Sequence, residues 1–452
     1  MTLSQSFSRV AIIGAGVAGL AAYNEFRKSG IEATIFEKGI SIGGKVSSFE
    51  IDGVISQTGG QRSFSAKGEY LALLRSLFPK HSSLFYPVKI HGFQNVSNIR
   101  DYFCRFGRGE LGLSRLNRLK HLYLKESMDR FDDRSILSHA CLYYGERMGS
   151  ILSRKWASWF CLDGNQTSRA IALEHLCKGV DSLYVPQVAL EKSESTLPVR
   201  LDSHIKSIDL SHGKISLKAD ADELTHFDAI VLATPSHVAA RLSESISSNA
   251  EKSLLLGVRY EASAALHILL RSPFFGRSFE SFPESNVEAN LGRVSVESAE
   301  SSRVPEGFEL CVALATPDFL RRFATKDVSS LRLVMESEVN RLFPGLTRKI
   351  VGTKLFCFKE GVPAFPVGHL ERMVRLLEIT KKEIHRGRPL AYAGDYLTSP
   401  TLDGAAKSGR IAARVLIEGE CRSIGIFGIW KVSPRSSRSV VSDRSHSGDC
   451  FS

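Results

Sequence analysis

The sequence predicts an α/β protein in which a doubly wound parallel sheet is combined with a second domain of mixed helix and sheet. Three observations predict this class. A glycine-rich strand–helix–strand pattern opens the chain, and a buried strand pattern, "FDAIVLATP", returns at residues 227–235. A strand, loop and helix then follow in "RPLAYAGDYLTSPTLDGAAKSGRIAARVLIEG", close to the C-terminal end.

The first unit contains a strand at Arg9–Ile13, a helix at Val17–Ser29 and a second strand at Ala33–Lys38. Apolar residues recur at helical spacing in the middle segment, and short apolar runs mark the two strands. Such a βαβ unit of about thirty residues is the expected start of a doubly wound sheet. The turn between the first strand and the helix carries the glycines Gly14, Gly16 and Gly19.

These glycines have the spacing of a dinucleotide-binding turn. Gly14 permits the tight turn, Gly16 lets the backbone approach a pyrophosphate, and Gly19 lets the helix pack closely on the strand. The helix N-terminus then offers free N–H groups and a positive dipole end to phosphates. Glu37 falls at the end of the second strand, where a carboxylate can accept hydrogen bonds from a ribose. The alternative is a glycine-rich turn in some other α/β protein.

A second glycine pair distinguishes between dinucleotides. NAD needs only the first βαβ unit, whereas this chain continues "FEKGISIGGKVSSF". Gly43 and Gly44 allow another close backbone approach beyond Glu37, and the cation Lys45 follows directly. The sequence therefore favours a cofactor that extends further across the fold than NAD does.

With these motifs, "FDAIVLATP" and "AGDYLTSPTLDG" taken together, the chain resembles the FAD-dependent amine oxidase and protoporphyrinogen oxidase superfamily, which includes phytoene desaturase-like enzymes. The resemblance implies FAD as the cofactor and a Rossmann-like FAD-binding domain. It also implies that the Ala-Thr-Pro strand lies under the FAD, and that the Gly-Asp near the end binds its ribitol and phosphate. The predicted cofactor-binding residues are Gly14, Gly16, Ala18, Gly19, Glu37, Lys38, Gly43, Gly44, Lys45, Gly59, Gly60, Gln61, Arg62, Ile205, Ala233, Thr234, Gly394, Asp395 and Ala405.

The chain departs from the family pattern at three positions. Lys45 stands where arginine is usual, which keeps the charge but loses the bidentate fork. Gln57 stands where an acid is common, and Ala265 occupies the position at which many amine oxidases carry a lysine near the flavin. The missing lysine counts against a typical monoamine or polyamine oxidase.

The last predicted helix carries a capping signal and a run of small residues. Ser399 followed by Pro400 suits an N-cap and first-turn pair. The small residues Gly404, Ala405, Ala406 and Gly409 are expected to keep one helix face low enough for a flat ring system to lie close. The alternative is an alanine-rich core helix.

The FAD-binding domain is predicted to be discontinuous, because one cofactor must contact segments that lie far apart in the chain. Its parts are 1–75, 180–240 and 385–425, and the α+β substrate domain takes the helical excursion 76–179 and the mixed excursion 241–384. Residues 431–452, rich in Ser and Arg, are predicted to be disordered because they can bury little apolar surface.

The substrate side gives a weaker signal. "VPAFPVGHLERM", residues 362–373, resembles a segment of porphyrinogen oxidases, and Phe365, His369 and Tyr396 are candidate pocket residues. No catalytic acid or base is assigned, since hydride transfer to a flavin needs none. The expected function is two-electron oxidation of an amine, an amino acid-like compound or a porphyrinogen-like tetrapyrrole, with reoxidation by oxygen. Alternatives are a non-redox flavoprotein isomerase and a catalytically decayed nucleotide-binding member of the family.

Composition excludes some classes. The net charge is +11, but Lys and Arg are interleaved with acids and form no basic, aromatic block, so nucleic-acid binding is not expected. The 8 cysteines form no C-x-x-C pair and no metal-ligand spacing, which predicts free thiols, no metal and a cytoplasmic location. No apolar stretch has the length of a membrane span. The expected partner is a small-molecule substrate, and the oligomeric state is left open.

Overall fold

The structure, a computed structural model, describes residues 7–60, 68–81, 84–91, 128–178, 182–186, 189–211, 214–219, 224–281, 290–301, 303–323 and 327–418. The strands are β1 Arg9–Ile13, β2 Glu32–Phe36, β3 Ser48–Ile51, β4 Val54–Gln57, β5 Phe85–His91, β6 Ser182–Pro186, β7 Val199–Arg200, β8 Ile205–Ser211, β9 Lys214–Ala219, β10 Leu224–Phe227, β11 Ala229–Leu232, β12 Tyr260–Arg271, β13 Phe279–Ser281, β14 Leu291–Glu297, β15 Phe308–Ala315, β16 Ile350–Pro363 and β17 Leu390–Tyr392. The helices are α1 Val17–Lys28, α2 Glu69–Leu77, α3 Ile136–Tyr144, α4 Glu146–Phe160, α5 Arg169–Lys178, α6 Ser236–Leu242, α7 Asn249–Leu256, α8 Pro317–Phe323, α9 Val328–Leu342, α10 His369–His385 and α11 Leu402–Glu418.

A five-stranded parallel sheet in the order β17-β11-β1-β2-β7 carries the glycine-rich turn. Successive residues of β1 face opposite cores, as the pleat requires. Val10 and Ile12 pack with α1 and α11 on one face, whereas Ala11 and Ile13 pack with α6, α7 and α10 on the other. This burial on both faces is typical of a doubly wound α/β sheet, and the predicted fold class is confirmed.

The sheet joins strands from three distant stretches of the chain. β1 pairs with β2 on one side and with β11 on the other, and β11 pairs in turn with β17. The carboxyl ends of β1, β11 and β17 therefore lie side by side. This arrangement supports the predicted discontinuous domain, whose exact boundaries stay a prediction.

A second sheet of seven strands has the order β16-β12-β15-β14-β13-β5-β6. Ala264, Leu266 and Ile268 of β12 pack against α9, where Met335 and Val339 are fully buried. The opposite face of the same strand presents Ala265 with Leu314 of β15 and Cys161. The sheet therefore buries one face under helices, and its other face turns towards Gly60, whose added Cβ would lie 3.9 Å from Ala265 Cβ.

Some strands lie where the sequence indicated helix or gave no clear signal. β5 falls inside the stretch 76–179 that was expected to be helical, and β6 falls inside 180–240 yet pairs with β5 in the seven-stranded sheet. The second part of the nucleotide domain is therefore better placed after β6. β14 and the long β16 also went unpredicted, because each is held by neighbouring strands from distant parts of the chain.

The start and packing of α11 correct two expectations. Thr401, not Ser399, caps the helix, since its Oγ1 accepts the Gly404 N–H at 2.9 Å. An added Cβ at Gly409 would lie 1.9 Å from the Ala18 carbonyl oxygen of α1. The small residue at position 409 therefore serves close packing of α11 on α1 rather than an approach to a ring.

Within the described residues, no helix combines the length and apolar character needed to cross a bilayer. Cys141, Cys161, Cys311 and Cys357 are free thiols. In the same part of the chain, no group of three His, Cys, Asp or Glu side chains is placed to hold a metal ion. Gln61, Arg62 and the tail 431–452 lie outside the described residues.

Candidate functional site

A cavity of about 600 Å³ opens at the carboxyl ends of β1, β2 and β11. Its volume lies in the range of ordinary ligand sites. Its position, at the carboxyl edge of a parallel sheet, is where doubly wound folds bind ligands. The predicted residues that line it are Gly14, Gly16, Ala18, Glu37, Lys38, Gly43, Gly44, Lys45, Ile205, Ala233, Thr234, Gly394, Asp395 and Ala405. Segments from all three predicted parts of the domain thus meet at one cavity.

The glycine turn has the geometry that the motif predicts. Gly14 has φ +104°, and an added Cβ would lie 2.5 Å from the Ala233 carbonyl oxygen. At Gly19 an added Cβ would lie 1.9 Å from the Gly14 carbonyl oxygen, so helix and turn are in direct backbone contact. Gly19 therefore packs against the backbone of the turn and does not itself line the cavity.

Gly16 is different, because an added Cβ there meets no atom within 4 Å. It is the N-cap of α1, and no side chain caps the helix. Val17 and Ala18, which carry the first N–H groups of α1, line the cavity. A phosphate fits this donor set, since it would satisfy free N–H groups and interact favourably with the helix dipole.

Glu37 is fixed by two backbone amides. Its Oε2 accepts the Ala15 N–H at 2.8 Å, and its Oε1 accepts the Gly39 N–H at 2.8 Å. Since each carboxylate oxygen has a further lone pair, the group can still accept hydrogen bonds from ribose hydroxyls. The carboxylate therefore joins the turn after β1 to the turn after β2, where the resemblance places the adenosine ribose.

We expect Glu37→Ala to weaken FAD binding by about 10- to 100-fold, because hydrogen bonds to a charged group contribute about 1.5–3 kcal/mol. The measurement is titration of cofactor-depleted protein with FAD, followed by flavin fluorescence. Glu32→Ala is the matched control, since Glu32 is exposed at the start of the same strand. An equal loss of affinity in both variants would contradict the role given to Glu37.

Lys45 links separate parts of the chain at the wall of the cavity. Its Nζ donates to the Gly361 carbonyl oxygen at 2.9 Å and lies 3.0 Å from Asp395 Oδ2. Gly16 and Gly43 form a parallel β-bridge, which brings the second glycine pair against the first turn. A cation and a carboxylate thus stand at the site where the resemblance places the pyrophosphate and ribitol.

Three predicted pocket residues lie elsewhere. Phe365, His369 and Tyr396 are each 0% exposed and do not line the cavity. The Phe365 and His369 rings pack 4.5 Å apart, and His369 Nε2 lies 2.7 Å from the Tyr396 carbonyl oxygen. Burial lowers the pKa of His369 to about 4. The structure therefore places these three residues in the protein interior, outside the lining of the cavity.

The Gly59–Gly60 turn also lies outside the cavity lining. Gly60 has φ +57° and packs on the second sheet, where its added Cβ would lie 2.8 Å from Val312 Cγ1. Arg293 of β14 donates to its carbonyl oxygen at 2.6 Å. Gln57, at the end of β4, is 3% exposed. These residues connect the first part of the chain to the seven-stranded sheet.

Several cavity residues carried no recognised signal in the sequence. Tyr260 opens β12, and residues 357–362 of β16 form a wall of the same cavity. Both strands belong to the excursion 241–384, which was expected to hold only substrate. The strand pattern of β12 was recognised, but its first residue carries no motif that points to a ligand.

The comparisons with known proteins agree with this geometry. Residues 17–417 match the family model described as flavin containing amine oxidoreductase. A 72-residue stretch is 40% identical to the mitochondrial protoporphyrinogen oxidase of Nicotiana tabacum, covering 16% of this chain and 14% of that protein.

Two solved structures share the fold. Wild-type putrescine oxidase with bound putrescine has a TM-score of 0.69 at 14% identity, over 91% of this chain and 99% of the other. Cyclohexylamine oxidase from Brevibacterium oxydans has a TM-score of 0.67 at 13% identity, over 91% and 99%. Because the family model spans most of the sequence, the chain belongs to the flavin-containing amine oxidoreductases and is an FAD-dependent oxidoreductase.

Proposed function

We propose that the enzyme removes two electrons from a cyclic tetrapyrrole of the porphyrinogen type. The observation that carries the proposal is Ala265, which stands on β12 where many amine oxidases have lysine. It is buried with Leu314 and Cys161, so apolar side chains pack at this position, while the buried His267 and Arg293 lie on the same face of the sheet. The stretch shared with the tobacco protoporphyrinogen oxidase supports the same substrate class.

When bound, FAD supplies a two-electron acceptor for a hydride from a C–H bond beside an electron-rich nitrogen. The residues of this chain bind and orient the reactants. The N-terminus of α1 would hold the pyrophosphate, and Glu37 would hold the ribose. The apolar side chains of Ala265 and Leu314 would exclude water from the ring system of the substrate.

The net charge of the chain also supports a porphyrinogen substrate. A porphyrinogen carries several carboxylates, and the chain has a net charge of +11, which favours association with anionic substrates. We also propose molecular oxygen as the electron acceptor, which would be reduced to hydrogen peroxide by the two electrons and two protons taken from the substrate.

A second candidate substrate is an amine. The ending "GDYLTSPTLDGAAKSGR" and the fold shared with putrescine oxidase favour it. Ala265 speaks against it, because the lysine usual in that group is missing. A non-redox isomerase and a decayed nucleotide-binding protein are the remaining alternatives.

Anaerobic mixing of the FAD-loaded protein with substrate panels tests the proposal. We expect a porphyrinogen to bleach the visible absorbance of the flavin, and oxygen to restore that absorbance with formation of peroxide. Bleaching by amines alone would overturn the proposal in favour of the second candidate. Conversion without net oxidation would indicate an isomerase, and no conversion of either panel would indicate a binding protein.

We also propose that the enzyme acts in the cytoplasm. Cys141, Cys161, Cys311 and Cys357 are free thiols, which is usual in a reducing compartment such as the cytoplasm. We propose small molecules rather than nucleic acids as partners.

A further inference from the structure

Tyr260 is the first residue of β12 and faces the cofactor cavity from the seven-stranded sheet. Its hydroxyl oxygen accepts the Ser236 N–H at 3.0 Å. Ser236 directly follows the Ala233-Thr234-Pro235 turn, which lines the same cavity. The phenol is thereby fixed in position from the parallel sheet, although it belongs to the other sheet.

The hydroxyl is a hydrogen-bond donor at neutral pH. Burial, and then the negative charge of Asp395, raise the pKa of Tyr260 above its ordinary value, so the proton stays on the oxygen. Since the Ser236 N–H uses a lone pair, the hydroxyl proton itself remains to be donated. A ligand oxygen is a suitable acceptor for it.

The surroundings indicate which part of the ligand this is. Asp395 and Glu360 are near enough to influence Tyr260, and both line the cavity. Asp395 also pairs with Lys45, which adjoins the second glycine pair. Tyr260 therefore lines the cavity beside Asp395, the partner of Lys45, where the resemblance places the pyrophosphate and ribitol.

We propose that Tyr260 binds FAD, donating its hydroxyl proton to an oxygen of the ribityl–diphosphate portion. The strand that carries Ala265 would then also hold the cofactor, so the two sheets are joined through the bound molecule. This inference rests on the family's cofactor and is independent of the substrate proposed above.

Titration of cofactor-depleted protein with FAD tests the inference, with flavin fluorescence as the readout. We expect Tyr260→Phe to raise the Kd about tenfold, as is usual for loss of a hydrogen bond to a polar or charged acceptor. Tyr392→Phe is the matched control: that hydroxyl bonds Ser247 Oγ at 2.8 Å and Tyr392 does not line the cavity. The control should lower the Tm but leave the Kd for FAD unchanged.

Each possible result of these titrations either supports or refutes the contact between Tyr260 and FAD. A wild-type Kd in Tyr260→Phe, or equal losses of affinity in both variants, would overturn the inference. A loss seen with FAD but not with ADP assigns the contact to the ribityl chain, and a loss with both assigns it to the diphosphate. If Tyr260→Phe does not fold, the Kd for FAD is compared between Tyr260→His, which keeps a hydrogen-bond donor, and Tyr260→Met, which has none. Failure of the wild-type protein to bind FAD would instead refute the cofactor.

Discussion

Gly16→Ala is expected to abolish tight FAD binding while leaving the protein folded. The residue has φ −72°, which any amino acid adopts, and an added Cβ would meet no protein atom within 4 Å. The methyl group would instead project into the space in front of the α1 N–H groups. Because a pyrophosphate needs the closest backbone approach at this position, we expect the Kd for FAD to rise about 100-fold or more.

Gly19→Ala is the contrasting variant from the same motif. Its Cβ would lie 1.9 Å from the Gly14 carbonyl oxygen, so helix and turn would have to separate. We expect this variant to lose both stability and FAD binding, whereas Gly16→Ala loses only binding. Far-UV circular dichroism with thermal melts measures the first property, and fluorescence titration measures the second. Normal FAD affinity in Gly16→Ala would show that the pyrophosphate does not occupy this space.

The part of the fold predicted from the sequence is the part with local signals. The spacing of Gly14, Gly16 and Gly19 determines a turn, because Gly14 and Gly19 are required by contacts with the adjacent strand and with the turn itself. β1 was predicted at its observed bounds, and α1 to within its C-terminal residue, for the same reason. Glu37 could be placed at the cavity because it follows β2 directly.

The remainder depends on long-range pairing. β16 pairs with β12, although β13, β14 and β15 lie between them in the chain. β5 and β6 join a sheet whose other strands come much later in the chain. A side chain such as Tyr260 is brought to the cavity by that pairing, so no local pattern indicates it. Phe365 and Tyr396 were wrongly expected at the pocket wall for a related reason: aromatic residues near a site fill the core beneath it as readily as they line it.

The second large effect is expected at the buried ion pair between Arg388 and Glu251. Arg388 Nη1 donates to Glu251 Oε2 at 2.8 Å, and its Nη2 donates to Oε1 at 2.5 Å. The side chains are 7% and 0% exposed. The pair connects α7 to the loop before β17, beneath the parallel sheet. Removing one partner of such a pair leaves a buried uncompensated charge, which typically costs about 3–5 kcal/mol.

Arg388→Met should therefore lower the Tm by an amount on the order of 10 °C, measured by thermal melts of the whole chain. The matched control is Arg386→Met, two residues away. Its guanidinium pairs with Glu383 at 2.8 Å but is 73% exposed. Exposed pairs contribute about 0.2–1 kcal/mol, so the control should melt close to the wild type. Equal losses in the two variants would show that the buried pair has no special role.

The pH dependence gives an independent check on the same pair. Burial works to raise the pKa of Glu251, but the hydrogen bonds and charge of Arg388 outweigh it and leave the pKa below its ordinary value. The wild-type pair thus contributes stability above about pH 4.3, and that stability is lost as the pH falls through the lower pKa of the folded state. In Arg388→Met the buried carboxyl has lost its cation, so its pKa should rise and protonation should stabilise the variant. The difference in Tm between wild type and Arg388→Met is therefore expected to narrow from pH 7 to pH 4.5, and a constant difference would contradict this account of the pair.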